Sequence, residues 1–205
     1  MRTRSVLDRI FSVVAVAMIP FAALPAEFTI HPGNGVATNV AEQIRGGVNV
    51  LVNPGTSGGG IVALNPDNAY YGLTTLGCGT LVVDNFANCY KNSTIGAGDM
   101  LILGPGTLRY NGPAEGATDR TISNIVTKTQ VTVFEVNSNL WLNGSFIQPG
   151  GGFIKTGPGT LHIAGSGDNY IAYGENIFAI NDAINKNRLN IQPNGDAPTL
   201  GTAGF

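Results

Sequence analysis

Apolar residues alternate with polar ones in runs of about four residues, and Gly, Pro, Asn or Asp separates each run from the next. Thr80-Leu81-Val82-Val83, Met100-Leu101-Ile102-Leu103, Thr107-Leu108-Arg109-Tyr110, Gln130-Val131-Thr132-Val133 and Thr160-Leu161-His162-Ile163 show the pattern most clearly. A period of two, rich in β-branched and aromatic residues and bounded by turn formers, predicts short strands. No segment between them carries a helical period of useful length, so strand–helix–strand units are disfavoured and a sandwich or a solenoid remains. Residues 39–46 stand apart. Asn39 followed three residues later by Glu42, with Gly46 beyond, has the form of a capping box and C-cap and predicts a short helix over the first coil.

Self-similarity decides between the two architectures. Gly77-Cys78-Gly79-Thr80-Leu81, Gly104-Pro105-Gly106-Thr107-Leu108 and Gly157-Pro158-Gly159-Thr160-Leu161 are copies of one pentapeptide. Their leucines are 27 and then 53 residues apart, and apolar alternation near Phe134 and at Leu189 fills in a series 81, 108, 134, 161, 189. A sandwich does not need the same residue types at a fixed step, whereas a solenoid does, because successive turns stack like on like. The expected fold is all-β, a right-handed parallel β-helix of about 27 residues per coil. Gly79, Gly106 and Gly159 are assigned to tight corners and Thr80, Thr107 and Thr160 to strand starts. Leu81, Leu108 and Leu161 are expected to point inward as one ladder, with His162 pointing outward.

The start of the chain concerns its destination. Arg2, Arg4 and Arg9 against Asp8, followed by the uncharged run 10–26, have the form of a secretory signal peptide with cleavage expected after Ala26. That run is shorter than the roughly 20 residues that span a bilayer, and Pro20 and Pro25 interrupt it, so no membrane span is expected after cleavage. The predicted organisation is a signal peptide at 1–26, an N-terminal cap segment at 27–46, solenoid repeats at 47–191 and a flexible or incomplete C-terminal end at 192–205. The last stretch is turn-like, so self-association or continuation through the open C-terminal edge is expected there. Three Arg and one Asp leave with the signal, which takes 11 basic and 13 acidic residues to 8 and 12. That balance offers nothing to nucleic acid or to an anionic membrane.

The stretch Gly152-Phe153-Ile154-Lys155-Thr156-Gly157-Pro158-Gly159-Thr160-Leu161-His162-Ile163-Ala164-Gly165 resembles the autotransporter-associated β-strand repeat, also called the passenger-associated transport repeat. Asn68-Ala69-Tyr70-Tyr71-Gly72-Leu73-Thr74-Thr75-Leu76-Gly77-Cys78-Gly79-Thr80-Leu81 matches the second half of that pattern, and the resemblance covers roughly residues 60–195. It implies a secreted, cell-surface or outer-membrane-associated stalk or adhesin of passenger type, with no catalytic residues and no cofactor. The strands of a membrane barrel do not follow before Phe205, which fits either a short standalone member or a stretch of a longer chain.

Three readings compete for the chemistry. A structural or adhesive module leads; a polysaccharide-cleaving β-helix and a carbohydrate-binding protein are the alternatives, with surface glycans as partners. For cleavage, Asp84, Asp99, Arg109, Asp119 and Arg120 are the one concentration of charge to test, and turn chemistry with an Arg–Asp ion pair is the plainer account. For glycan stacking the candidates are Tyr70, Tyr71, Tyr90, Tyr110 and Trp141, with core packing as the alternative. His31 and His162 have no metal spacing, and Gly165-Ser166-Gly167-Asp168 reads as a turn. Cys78 and Cys89, an even count in an exported chain, permit a disulfide; a pair of partly buried thiols is the other possibility.

Overall fold

The computed structural model describes residues 25–127, 129–148 and 150–164 in full, and the strands Tyr170–Ile171, Phe178–Ile180 and Arg188–Ile191 by their backbone. The expected signal segment lies outside the described residues except for Pro25 and Ala26, as do the 165–168 turn and the 192–205 end.

Each short alternating run becomes one strand, and the chain turns a corner after it. The first two coils hold β1 (Ala26–Ile30), β2 (Ala37–Val40), β3 (Arg45–Gly46), then β4 (Val48–Val52), β5 (Ile61–Leu64) and β6 (Ala69–Tyr70). The next coil has only β7 (Thr74–Leu76) and β8 (Thr80–Val83). Three-stranded coils resume with β9 (Met100–Leu103), β10 (Thr107–Tyr110) and β11 (Glu115–Thr118), followed by β12 (Thr121–Asn124), β13 (Val131–Val136) and β14 (Asn139–Leu142). They continue through β15 (Phe146–Gln148), β16 (Gly152–Thr156), β17 (Thr160–Ile163), β18 (Tyr170–Ile171), β19 (Phe178–Ile180) and β20 (Arg188–Ile191). The strands stack in parallel into a β-solenoid of about six turns. Its first sheet runs β1-β4-β7-β9-β12-β15-β18, its second β2-β5-β8-β10-β13-β16-β19, and its third is split into β3-β6 and β11-β14-β17-β20.

The coil is shorter than the motif spacing suggests. A step of 24 residues separates Val50 from Thr74, Ile122 from Phe146, Ala37 from Ile61 and Glu115 from Asn139. The 27-residue step from Leu81 to Leu108 belongs to the coil in which the long loop 84–99 replaces a third-sheet strand. Leu161 also leaves the expected ladder. Leu81, Leu108 and Phe134 stack on the second sheet, but the place after Phe134 belongs to Lys155. Leu161 stacks on Leu140 in the third sheet, because the third pentapeptide copy turns a different corner from the first two. Segment 39–46 forms no helix. Its residues enter β2 and β3, where β2 pairs with β5 along its length, and this stacking outweighs a weak capping pattern. The stacked strands therefore include β1, which starts at Ala26, the last residue of the expected signal segment, and runs into the stretch expected to be a separate cap.

Alternation places every second side chain inside. Val62, Leu81, Leu108 and Phe134 are buried on the second sheet, Leu76, Leu101, Leu103 and Ile122 on the first, and Leu140, Leu142, Leu161 and Ile163 on the third. Burying each such side chain contributes about 1.5–3 kcal/mol. Phe134, Phe146 and Phe153 meet across the interior with ring centroids 5.6–6.1 Å apart. The corners run backbone against backbone. A Cβ on Gly104 would lie 2.4 Å from the Gly77 carbonyl oxygen of the preceding coil, so only glycine fits.

Candidate binding face

Loop 84–99 fills the gap in the third sheet by turning some residues inward and others outward. Phe86, Ile95 and Ala97 enter the core, and Phe86 packs on Tyr110 at 5.7 Å. Asn68 exchanges backbone bonds with Ser93, 3.0 and 3.2 Å long. The main clamp is Arg120, fully buried just after β11. Its Nε donates to the Ala87 carbonyl at 3.0 Å and Nη1 to that of Ile95 at 3.3 Å. Nη2 reaches the carbonyls of Asn88, Lys91 and Gly96 at 3.2, 3.0 and 2.9 Å. A guanidinium carries donors in a rigid planar fork, which suits a ring of carbonyls supplied by an irregular loop.

Of the charged residues singled out from the sequence, Arg120 and Asp119 hold the loop. Asp84 and Asp99 stand exposed at its two ends. Asp119 accepts the Cys89 N–H at 2.6 Å. Partial burial pushes its carboxyl up, but the bonds from Cys89 and the nearby Arg120 outweigh this and hold it below the ordinary aspartate range. Arg109 bonds Glu135, its register neighbour, at 2.8 Å. The expected Arg–Asp ion pair is thus replaced by an Arg–Glu pair and by an arginine bound to carbonyls. The cysteines are free thiols. Cys78 is buried at a corner, with its thiol donating toward the Asn53 and Ser57 carbonyls at 3.3 Å. Cys89 sits in the loop, and burial together with Asp119 pushes its thiol up to about 11, away from thiolate reactivity.

The aromatic candidates divide by face. Tyr70 and Tyr110 are fully buried and belong to the core, whereas Tyr71 and Tyr90 are exposed. Tyr90 is 79% exposed at the rim of the loop and holds a left-handed backbone with φ of 64°, uncommon for a bulky residue. Trp141 lies on the outer side of the third sheet, since its neighbours Leu140 and Leu142 both point inward. Its indole stacks on the His162 imidazole with centroids 3.6 Å apart and planes 4° from parallel. His162 does point outward as expected, but this stack leaves it half-buried. Burial lowers the His162 pKa while Glu115 opposes that shift. The Trp141 Nε1–H donates to Glu115 Oε2 at 3.0 Å, and the Asn139 amide donates to Oε1 at 2.9 Å. These bonds, from Asn139 and Trp141 in that order, hold the Glu115 carboxyl below its ordinary range. No sequence signal ties Glu115 to Trp141, which lie 26 residues apart and meet only because β11 stacks on β14. Among the described residues, no three His, Cys, Asp or Glu side chains gather as a metal site.

Sequence comparison agrees with this geometry. Over 123 residues, 56% of this chain, it is 37% identical to the adhesin BmaC autotransporter of Brucella suis biovar 1 (strain 1330). This chain is similar to part of an autotransporter adhesin. It spans 4% of that protein's length. No protein-family model matches the chain. No solved structure matches it either. The resemblance to the passenger repeat thus rests on a stacked β-solenoid and on similarity to an autotransporter adhesin.

Proposed function

We propose that this chain is a surface-exposed, passenger-type β-solenoid module with a structural and adhesive role and no catalysis. The observation that carries the reading is the similarity to an autotransporter adhesin in a chain whose strands stack in register along a rod. Stacked parallel coils make a stiff scaffold whose inward residues hold the fold, leaving the outward rows free to vary. The acidic groups on this face support the same reading: Asp119, a candidate for cleavage from the sequence, holds a loop backbone N–H, and Glu115 accepts from two side chains of the next coil. An N-terminal export signal, cleaved after Ala26, would deliver the module to the cell surface or the outer membrane.

Antibody labelling and protease shaving of intact producing cells test the location; beads coated with the purified chain test adhesion to host-cell layers. The expected result is surface labelling and bead retention, with no reducing sugar released from a panel of polysaccharides. Exclusion of the chain from the surface, or polysaccharide turnover that vanishes in an Asp84, Asp119 and Arg120 triple alanine variant, would overturn this reading.

A further inference from the structure

In a register-stacked sheet, the neighbours of an outward side chain along the rod are its register partners in the coils on either side. For Trp141 these are His162 and Ala117. The imidazole covers one indole face at 3.6 Å. Toward the other face, β11 offers only the exposed methyl of Ala117. The outward row on that coil reads Glu115, Ala117, Asp119, and all three are exposed. A carboxylate therefore stands two positions to each side of the methyl, with the backbone positions of the pair roughly 13 Å apart at the usual strand rise. Loop 84–99 lies along the far side of the row, where Asp119 binds the Cys89 N–H at 2.6 Å. The row thus sets a methyl beside the indole, with a carboxylate residue two positions to each side of it.

Both carboxylates keep acceptor capacity. A carboxylate has about four lone-pair sites. The Glu115 oxygens accept one bond each, from Asn139 and Trp141, and Asp119 accepts the Cys89 N–H through Oδ1. An apolar ring face beside paired hydroxyl acceptors matches the chemistry of a sugar ring: C–H bonds on one face, hydroxyls around the edge. We infer that the face of Trp141 above Ala117 is a binding slot for one pyranose ring of a neutral saccharide. The two carboxylates and the acidic balance of the chain disfavour sialylated or sulfated glycans. The inference deepens the adhesive reading and rests on it.

Trp141 is the single tryptophan of the chain, so its emission reports on the slot directly. The full chain is titrated with the β-1,4-linked tetramers of glucose and of N-acetylglucosamine and with β-1,4-galactotetraose. 3′-Sialyllactose and choline chloride serve as an anionic glycan and a small cation. The expected result is a saturable emission change with at least one neutral tetramer and none with sialyllactose or choline. Ala117→Phe fills the slot with a ring of its own and should weaken that tetramer at least 10-fold with thermal unfolding unchanged. Glu115→Gln should weaken it several-fold. Silence toward all three neutral tetramers, a response to choline or sialyllactose alone, or undiminished affinity in folded Ala117→Phe would each overturn the inference. Bead adhesion separates the two readings: an Ala117→Phe chain that loses sugar affinity but still adheres leaves the adhesive module standing and shows that another surface makes the contact.

Discussion

Replacing Arg120 with alanine probes the coil in which loop 84–99 stands in for a third-sheet strand. The substitution removes two buried methylenes, about 0.8 kcal/mol each, and every donor facing the carbonyls of Ala87, Asn88, Lys91, Ile95 and Gly96. Four of these carbonyls keep a second donor: Thr118 Oγ1 at Ala87, the Lys91 N–H at Asn88, Thr74 Oγ1 at Ile95 and Ser93 Oγ at Gly96. The Lys91 carbonyl takes its bond from the guanidinium, and leaving such a group unsatisfied costs about 1–3 kcal/mol. Freeing a buried charge returns part of this loss. The net expectation is about 3 kcal/mol, or roughly 6–12 °C in thermal midpoint at this chain length. The loss should be local. Hydrogen exchange read by mass spectrometry should show residues 84–99 opening well before the strands on either side, because their attachment is the clamp rather than a ladder. Arg120→Lys, which keeps one charge but loses the planar fork, should fall between the two. A loop in Arg120→Ala as protected as in the parent, with the midpoint within about 2 °C, would refute the clamp.

Leu108→Asp puts a carboxylate between Leu81 and Phe134, and Leu161→Asp puts one beside Leu140; each should cost several kcal/mol in denaturant unfolding. His162→Asp should lose only about 0.5–1.5 kcal/mol of ring stacking on Trp141. Gly104→Ala drives a Cβ into the Gly77 carbonyl and should destabilise by about 1–3 kcal/mol, whereas Gly33→Ala, whose nearest neighbour is Val36 at 3.8 Å, should be neutral by the same thermal assay. Burial pushes the Lys155 ammonium down from 10.5 to about 8. Between those two values the unfolded chain holds more protons than the folded one, so stability should rise with pH across the window, by on the order of 1–3 kcal/mol. Lys155→Met should lack that rise, and identical pH profiles for parent and variant would remove Lys155 as its source.

The strands themselves are legible in the chain because alternation is a local property. Thr80–Val83, Thr107–Tyr110 and Thr160–Ile163 appear where the pattern places them, with Leu81, Leu108 and Leu161 inside and His162 outside. A period of two fixes which side of its own strand a residue takes. It carries no information on which of three sheets that strand joins. That depends on the lengths of the corners, which vary from coil to coil, and so the even series through 134, 161 and 189 misplaced Leu161 and lengthened the coil. The capping pattern at 39–46 failed for a related reason. Its local preference is weaker than the backbone bonds available from β5.

The residues of the candidate face show the same division. Sequence alone determined that His162 stands on the outer side of its strand and that Arg120 lies in a turn able to hold a charge, while for Trp141 it left an exposed stacking face and core packing both open. Only the stacking of coils decided that Glu115 meets Trp141, that the small Ala117 is the register neighbour of Trp141 on the side away from His162, and that Arg120 points into the ring of carbonyls formed by loop 84–99. These partners are 24 to 33 residues apart, one coil or slightly more. Contacts at that distance are set by how each turn lies on the one before it, a property of the assembled rod that no single segment contains.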